Sequence, residues 1–470
     1  MADDLIVVLD VGKTLAKLSL WTPTGDLVAR ATHANQRVDT GAYVALDAAG
    51  IEAWLAATLW EFASHGRVGA IVPVGHGAAA AAIRDGALVA PPIDYEEALP
   101  DRAAYERERD AFAETGSPAL PDGLNLGAQL FFLERRHPDL FEGAQILPWP
   151  QYWAWRLSGV AASELTSLGC HTDLWRPKAR APSELARRRG WADRLAPLAR
   201  ADQALGAITP EWARRTGLPS DVKVYCGLHD SNAALLAARG FSEIADSDAT
   251  VLSTGTWFVA MRSPSDDRTV EISGLPERRD CLVNIDAYGK LVPSARFMGG
   301  REIEVLTGLD TRRIDIKPDQ PALVAAAAEV VASGARVLPT FTPGVGPHPG
   351  LRGRWIDMPA NEAARRAAVA LYAALEADVS LDLIGAKARI LVEGRFAEAE
   401  VFVRALASLR PNDRIYVCNA HNDVSFGALR LLNPALRAAS ALMLVRPLEA
   451  PLDAYRAQWR LDVERMERAA

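Results

Sequence analysis

The residues best suited to chemistry are two aspartates, each beside a turn. Asp10 precedes the turn 12–14 at the end of an apolar stretch, and Asp230 follows His229 just before a run of helix-forming residues. A carboxylate beside a glycine turn can hold a hydrated Mg²⁺ that neutralises nucleotide phosphates. A carboxylate at a strand-to-helix turn can accept a proton from a hydroxyl group. The pair favours phosphoryl transfer, although such a turn can be only a turn, and Asp230 can be only a helix N-cap.

The turn 12–14, Gly-Lys-Thr, is not a Walker phosphate loop. That motif requires a second glycine five positions before Gly12, where this chain has Val7, and a helix after the turn. Apolar and polar residues instead alternate from Leu15 to Trp21, a period of two that is typical of a strand. The prediction is a strand over Leu5–Leu9, a tight turn over Asp10–Thr14 and a strand over Leu15–Trp21.

A similar pattern recurs near the middle of the chain. The stretch VLDVGK (8–13) aligns with VLSTGT (251–256), and both join an apolar strand to a glycine turn. Glycine lets backbone N–H groups approach anionic oxygens, and small hydroxyl side chains add donors. The recurrence predicts two related halves that each present a phosphate-binding turn, the second formed by Ser253, Thr254, Gly255 and Thr256.

Strand-like and helix-like segments alternate along the whole chain, which favours an α/β fold. The junction between the halves is expected near 240–248. The last helix is either a packing element or a dimer contact. The main helices are predicted over 51–64, 125–136, 151–157, 184–201, 231–238, 362–383 and 452–470.

Composition narrows the class of protein. The chain has 470 residues, which predicts two domains, and its formal net charge of −7 argues against nucleic-acid binding. The acidic start, MADDL, fits neither a signal nor a transit peptide, and no apolar run is long enough for a membrane span, so a cytoplasmic protein is expected. The four cysteines are widely spaced, which predicts free thiols and no cysteine–histidine metal site.

The order of motifs resembles that of the FGGY carbohydrate kinases, which belong to the actin–hexokinase–Hsp70 superfamily. The resemblance covers about residues 5–435, and within the family it is strongest for the deoxyketose kinases of L-rhamnulose and L-fuculose. The matching segments are DVGKT (10–14), NLGAQL (125–130), LPWPQYWAWRLSG (147–159), SELTSLGCHTDLW (163–175), GLHDSNAALLAA (227–238), VLSTGTW (251–257), NIDAYGKLVPSARFMGG (284–300), FTPGVGPHPGLRGRW (341–355), VEGRFAEAEVFVRALASLRP (392–411) and SFGALRLL (425–432).

This resemblance implies two ribonuclease H-like α/β domains with a central cleft: an N-terminal sugar-binding domain over 1–240, a nucleotide-binding domain over 241–435 and a helical tail over 436–470. It also implies ATP-dependent phosphorylation of a ketose or deoxyketose, with Mg²⁺, in a protein that can be a homodimer. Asp230 resembles the general base and Asp10 the metal-associated carboxylate. The implied nucleotide contacts are Gly12, Lys13, Thr14, Ser253, Thr254, Gly255, Thr256, Gly394 and Gly427. The implied sugar contacts are Gly75, His76, Gly77, His229, Gln129, Gln151 and Arg296.

Several positions depart from the family pattern, among them Lys17, which stands where Arg or another residue is common. Lys13 stands where Thr is usual, so its ammonium either reaches the γ-phosphate or points to solvent. Glu393 precedes Gly394 in a usually glycine-rich motif, so it is expected to point away from the phosphates or to pair with Arg395. Arg296 replaces Asn, which leaves the sugar open and allows a more polar or acidic acceptor.

Two other functions remain open. A non-catalytic nucleotide-dependent regulatory protein on the same fold would explain the unusual Lys13 and Glu393. A dinucleotide oxidoreductase would require GxGxxG between a strand and a helix, whereas a strand is expected after Gly12.

Overall fold

The protein is represented by a computed structural model that describes residues 4–418 and 424–469. The chain forms two compact units. The first contains Met1–Gly240, Val283–Leu291 and Asp423–Ala438. The second contains Phe241–Leu282, Val292–Asn422 and Ala439–Ala470. The sequence-based boundaries at 240 and 435 stay a proposal.

The strands of both units are short and distributed along the whole chain. They are β1 Leu5–Val11, β2 Leu15–Trp21, β3 Leu27–Ala34, β4 Arg37–Asp39, β5 Val44–Leu46, β6 Val68–Gly75, β7 Ala80–Arg84, β8 Ala87–Ala90, β9 Gln145–Pro148, β10 Trp175–Arg176, β11 Ala181–Pro182, β12 Ala204–Ala207, β13 Lys223–Tyr225, β14 Leu228–His229, β15 Ala249–Thr254, β16 Phe258–Ser263, β17 Cys281–Ile285, β18 Leu291–Phe297, β19 Arg336–Leu338, β20 Arg354–Ile356, β21 Arg389–Gly394, β22 Arg414–Val417 and β23 Met443–Leu444.

Helices occur between most of these strands. They are α1 Ala48–Phe62, α2 Arg102–Glu106, α3 Phe112–Thr115, α4 Leu126–Arg136, α5 Trp149–Ser158, α6 Leu165–Leu168, α7 Glu184–Arg188, α8 Pro210–Thr216, α9 Asp230–Ala238, α10 Gly299–Thr307, α11 Gln320–Ser333, α12 Glu362–Leu383, α13 Glu400–Leu409, α14 Val424–Leu432 and α15 Leu452–Ala469. None of the helices in the described ranges combines the length and the apolar character that crossing a bilayer requires.

The two large sheets share one topology, as the recurring sequence pattern predicts. In the first, the order is β3-β2-β1-β6-β13-β12; in the second, β18-β16-β15-β21-β22-β23 repeats it, with β17 beyond β18. In each sheet the first three strands are antiparallel, the next two run parallel to the third, and the last is again antiparallel. The α/β fold with two related halves is therefore confirmed.

The hairpins at the centre of the two sheets correspond closely. Gly12–Thr14 joins β1 to β2, and Gly255–Trp257 joins β15 to β16. Across the parallel neighbour, Val11 lies opposite Gly75 and Thr254 lies opposite Gly394. In each sheet, a glycine at the end of the neighbouring parallel strand, Gly75 or Gly394, therefore lies beside the last strand residue before the hairpin turn.

Side-chain alternation determines which face of the first sheet carries the polar residues. In β1, Val7 and Leu9 pack with α1 in one core cluster, whereas Val8 packs with α9 and α14 in another. Because successive strand residues face opposite sides, Asp10 lies on the same face as Val8. Lys17 pairs with Asp10 across the β1–β2 ladder and so faces the same way.

The core of the second unit is built around α12, and the tail helix contributes to it. Trp459 of α15 is buried and donates its indole N–H to the carbonyl of Val337, while the Tyr455 hydroxyl donates to the carbonyl of Ala335. The last helix is thus a packing element of this unit. The four cysteines are free thiols, also as predicted.

Two local predictions are wrong. Asp10 lies in β1 and not in the turn, because the ladder continues to the Val11–Ala16 pair. The helical region predicted over 184–201 contains only α7, since Gly190 takes a positive φ of 69° and Pro197 cannot continue a helix. The alternative role of Asp230 as an N-cap is not observed either, because Asp230 is the first residue of α9 and His229 holds the N-cap position.

Candidate active site

The carboxyl of Asp230 lies at the N-terminus of α9 in the first unit. Its Oδ1 accepts hydrogen bonds from the Ser231 backbone N–H at 2.5 Å and from the Ser231 hydroxyl at 3.1 Å. About a third of the Asp230 side chain, 30%, is exposed to solvent, so a ligand can reach it. A helix N-terminus favours the ionised form of a carboxyl, and here the Ser231 hydroxyl stabilises that form as well.

The surroundings nevertheless raise the pKa of Asp230 to about 6. The main cause is withdrawal from water, which the Ser231 donors and the charge of Lys17 only partly offset. A carboxylate with this pKa is ionised at neutral pH but is a stronger base than an ordinary aspartate. The group can therefore take a proton from a hydroxyl as that hydroxyl becomes a nucleophile.

We predict that Ser231→Ala moves the acid limb of the kcat/KM profile to higher pH. The hydroxyl stabilises the ionised carboxylate, so its loss raises the pKa of Asp230, by about 0.5 to 1 unit for a partly exposed hydrogen bond. A pH–rate profile measures the shift, and Ser231→Thr, which keeps the hydroxyl, is the control. A limb that stays in place in Ser231→Ala would mean that the Ser231 hydroxyl does not tune this carboxyl.

His229 is fixed next to Asp230 by contacts on several sides. Asn232 Nδ2 lies 3.3 Å from His229 Nδ1, and an amide nitrogen can only donate, so Nδ1 is the acceptor and Nε2 carries the proton. That Nε2 is 3.2 Å from Asp230 Oδ1 and 3.4 Å from Cys170 Sγ. Burial lowers the pKa of His229 to about 4, so the ring is neutral at physiological pH.

The backbone of His229 is held by a buried chain of hydrogen bonds. Its N–H donates to Thr166 Oγ1 at 2.9 Å, and that hydroxyl donates to Glu164 Oε2 at 2.5 Å. Burial raises the pKa of Glu164 to about 7. Gly77 leaves room for the ring, since a Cβ there would lie 2.9 Å from His229 Nε2. Sequence reasoning found Gly77 but not Glu164 or Thr166.

His76 follows β6 and has both ring nitrogens buried without a hydrogen-bond partner among the described residues. The pKa of His76 is lowered to about 3, mainly because the ring is buried and to a smaller extent because His229 lies nearby. Its ring meets the edge of Tyr95 at a centroid distance of 5.6 Å. A buried polar side chain without a partner is costly, so His76 is suited to bind a ligand hydroxyl.

Asp10 is buried at the end of β1, and Lys17 Nζ lies 3.4 Å from its Oδ2. The described part of the chain contains no cluster of three or more candidate ligand side chains that could hold a metal ion. One carboxylate fits a Mg²⁺ ion that keeps most of its waters and arrives with a phosphate ligand, because Mg²⁺ is commonly bound through one or two carboxylates. The donor set therefore suits a metal–nucleotide complex and not a resident metal.

Lys13 neither points to solvent nor is free for a phosphate. Its Nζ lies 3.0 Å from Asp94 Oδ1, 2.5 Å from Glu96 Oε2 and 4.4 Å from the centroid of the Tyr95 ring. Asp94–Glu96 is called the acceptor loop below. The sequence does not reveal this loop, because its residues lie outside any periodic element.

In the second unit, the end of β15 and the turn that follows it present hydroxyl groups beside a helix N-terminus, so the predicted turn over 253–256 begins two residues later, at Gly255. Ser253 and Thr256 are exposed, and Thr254 is buried. The turn is closed by a hydrogen bond from Gly255 N–H to the Trp257 carbonyl, and a Cβ at Gly300 would lie 2.1 Å from the Gly255 carbonyl oxygen. The start of α10 thus packs directly against this turn, an arrangement that favours an anion.

Gly394, at the end of β21, approaches the same turn. Its φ is 81°, and a Cβ there would lie 2.3 Å from the Thr254 carbonyl oxygen. The Thr254 hydroxyl donates to the Glu393 carbonyl and accepts from Phe396 N–H at 3.0 Å. Arg395 donates to the Ile314 carbonyl.

Arg296 lies in the second unit and is already paired. Its Nε donates to Asp280 Oδ1 at 2.7 Å, and its guanidinium lies 4.8 Å from the Trp257 ring centroid. Because Asp280 neutralises its charge, Arg296 does not offer a free cation to an acidic sugar.

Three other predicted contact residues lie in the first unit. The Gln129 amide donates to the carbonyls of Ala78 and Gly123, and that of Gln151 donates to the Cys226 and Gly227 carbonyls. Gly427 lies in α14, where a Cβ would overlap the Ala233 carbonyl oxygen of α9. These contacts describe structural roles, and the predicted ligand contacts of these residues stay predictions.

The chain is similar to several known carbohydrate kinases. The family model "Carbohydrate kinase FGGY, C-terminal domain" matches residues 246–440. A carbohydrate kinase of known structure from Novosphingobium aromaticivorans is 57% identical, with a TM-score of 0.94, over 97% of this chain and 100% of that one. The xylulose kinase from Rhodospirillum rubrum is 20% identical with a TM-score of 0.79, over 99% of this chain and 98% of that one, and shows the fold alone.

Among curated proteins, an L-fuculokinase from Salmonella typhi is 28% identical over 286 residues. The match covers 56% of this chain and spans 57% of the L-fuculokinase's length.

Proposed function

Because the chain belongs to the FGGY carbohydrate kinases, we propose that it transfers the γ-phosphate of ATP to a hydroxyl of an uncharged ketose or deoxyketose, with L-rhamnulose and L-fuculose as the type of acceptor. The observation that carries this proposal is the accessible carboxyl of Asp230, whose pKa is raised to about 6 beside neutral His229.

Asp230 acts as the general base. The sugar hydroxyl loses its proton to this carboxylate as its oxygen forms a bond to the γ-phosphorus, and the bond from that phosphorus to the β,γ-bridging oxygen breaks. ADP leaves with the bridging oxygen, and the proton passes from Asp230 to solvent. His229, with Nε2 3.2 Å from Asp230 Oδ1, orients the carboxylate.

The two glycine turns bind the nucleotide phosphates. In the first unit the proposed contacts are Gly12, Lys13 and Thr14. In the second unit they are residues 253–256, at the end of β15 and in the turn that follows it, together with Gly394. Mg²⁺ bound with ATP would neutralise phosphate charge, and Asp10 would hold it through water. Gly427 is proposed to lie beside the adenosine.

The charges in the first unit favour an uncharged acceptor. Lys13 and Lys17 each contact a carboxylate, and His76 and His229 are neutral because burial lowers the pKa of both rings. None of these groups offers an unpaired positive charge to a sugar acid. The sugar-binding wall is proposed to be formed by Gly75, His76, Gly77 and His229, with Gln129 and Gln151 as further candidates.

A coupled assay of ADP release tests the function. The panel contains ketoses, deoxyketoses, polyols, aldoses and aldonic acids, each with and without Mg²⁺. We expect turnover with a neutral ketose or deoxyketose, dependence on Mg²⁺, and at least about 100-fold lower kcat/KM for aldonic acids. ATP binding without turnover on any sugar would instead favour a non-catalytic regulatory protein.

A further inference from the structure

The side chain of Lys13 contacts all three residues of the acceptor loop. Two of its three possible hydrogen-bond directions meet Asp94 and Glu96, at 3.0 and 2.5 Å, and the Tyr95 ring lies under the ammonium. Only 11% of the lysine side chain is exposed, and the Asp94 side chain is fully buried. This is a buried cation between two carboxylates and not a freely extended lysine.

The acceptor loop carries Tyr95 from this lysine to the proposed sugar side of the unit. The Tyr95 ring contacts the His76 ring. The Tyr95 backbone carbonyl accepts a hydrogen bond from the Gly123 N–H at 3.0 Å. Burial and the charges of Glu96, Asp94 and Asp230 raise the pKa of Tyr95 to about 12. The Tyr95 ring thus lies between Lys13 and His76, and His76 belongs to the proposed sugar-binding wall.

A phosphate at the Lys13 ammonium would compete with these carboxylates, and its full engagement would displace them. Asp94 would then keep a buried negative charge with Arg37, at 3.4 Å, as its remaining cation among the described residues. The incoming phosphate would add further negative charge beside it. Burial alone would raise the pKa of Asp94, but the Glu96 N–H and Lys13 lower it, so the carboxylate is charged and depends on the lysine.

The backbone of the turn does not depend on the Lys13 side chain. Asn35 Nδ2 donates to the Gly12 carbonyl at 2.8 Å, and the Asn35 N–H donates to the Thr14 carbonyl at 3.0 Å. The Gly12 N–H also donates to the Leu15 carbonyl. Loss of the lysine side chain should therefore leave the phosphate-binding backbone in place.

We propose that Lys13 is a positioning residue for the acceptor: through its ion pairs with Asp94 and Glu96 it holds Tyr95 against His76, and so shapes the site for the sugar. This inference rests on the proposed sugar kinase activity. It assigns to the Lys13 side chain an effect on sugar binding instead of phosphate binding.

The test measures KM for the sugar and KM for ATP separately in Lys13→Met. We expect the sugar KM to rise about 10-fold or more, with the ATP KM changed less than about 2-fold, because only acceptor contacts are displaced. Lys13→Arg keeps the charge and should recover most of the sugar affinity. Lys223→Met, at an exposed lysine of β13, is the matched control and should leave both constants unchanged.

Glu96→Gln provides a second, gentler variant. Glu96 is 64% exposed, so its pair with Lys13 is screened and we expect only about a 2- to 4-fold rise in the sugar KM. In the double variant with Lys13→Met, the two effects should be less than additive, because both substitutions remove the same Lys13–Glu96 ion pair.

The outcomes separate the inference from the function on which it rests. A raised ATP KM with an unchanged sugar KM in Lys13→Met would assign the side chain to the phosphates and overturn the inference. If Lys13→Met does not fold, Glu96→Gln decides: a raised sugar KM supports the positioning role, and an unchanged one refutes it. A wild-type protein that turns over no sugar would instead defeat the proposed function.

Discussion

Replacement of Asp230 by Asn is expected to lower kcat by about 10³-fold while leaving the affinity for ATP nearly unchanged. The amide has almost the same shape as the carboxyl but cannot take a proton from the acceptor hydroxyl. The nucleotide contacts proposed for the glycine turns do not include this side chain. A coupled ADP assay measures turnover, and calorimetric titration with a non-hydrolysable ATP analogue measures binding.

The pH dependence gives this prediction a second readout. The pKa of Asp230 is raised to about 6, so below that pH the group is protonated and cannot act as a base. In the wild type kcat/KM should therefore fall about tenfold per pH unit below pH 6 and reach a plateau above it. The residual activity of Asp230→Asn should lack this limb, because Asn has no proton to lose in this range.

A matched change of charge controls for the electrostatic effect of the substitution. Asp85 lies in an exposed turn between β7 and β8, and Asp85→Asn should behave like the wild type. If Asp230→Asn turned over sugar near the wild-type rate, the base would have to be another group. If it lost ATP affinity as strongly as turnover, the residue would be part of the nucleotide site.

The fold could be predicted from the sequence where local patterns and tertiary structure agree. The alternation in 15–21 and the repeated VLDVGK and VLSTGT stretches predicted both central hairpins, and the two sheets repeat one topology. The prediction was poorer where a local pattern competes with backbone constraints. The Arg- and Ala-rich stretch 184–201 has helix-forming residues, but Gly190 ends the helix after a few residues.

The candidate site was predictable only in part, for a similar reason. His76 and Asp230 directly follow strands, so their positions could be read from sequence, whereas Asp10 was placed in the turn and lies in β1. The acceptor loop was missed because contacts between Lys13 and Asp94 join residues far apart in the chain without any local signal. The Glu164–Thr166 support of His229 was missed for the same reason. Long-range ion pairs and hydrogen bonds depend on tertiary structure and leave no periodic trace.

Gly394→Ala should have the largest effect on the second unit. Its φ of 81°, with a ψ of −164°, is a conformation that alanine avoids, and the new Cβ would lie 2.3 Å from the Thr254 carbonyl oxygen. Relief of this overlap requires β21 to move from β15, which would disturb the Thr254 hydrogen bonds to Glu393 and Phe396. We expect the free energy of unfolding to fall by about 3 to 5 kcal/mol, measured by urea denaturation.

A second glycine separates the cost of the dihedral angle from that of the overlap. Gly344 also has a positive φ, 93°, but a Cβ there would meet no atom within 4 Å. Gly344→Ala should therefore cost only about 1 to 2 kcal/mol from backbone strain and leave the ATP KM unchanged. Gly394→Ala should, in addition, raise the ATP KM by about 10-fold or more in whatever fraction folds, because the displaced strand end carries the proposed phosphate contacts. Equal losses of stability in the two variants would show that the close approach of Gly394 to Thr254 is not what requires a glycine there.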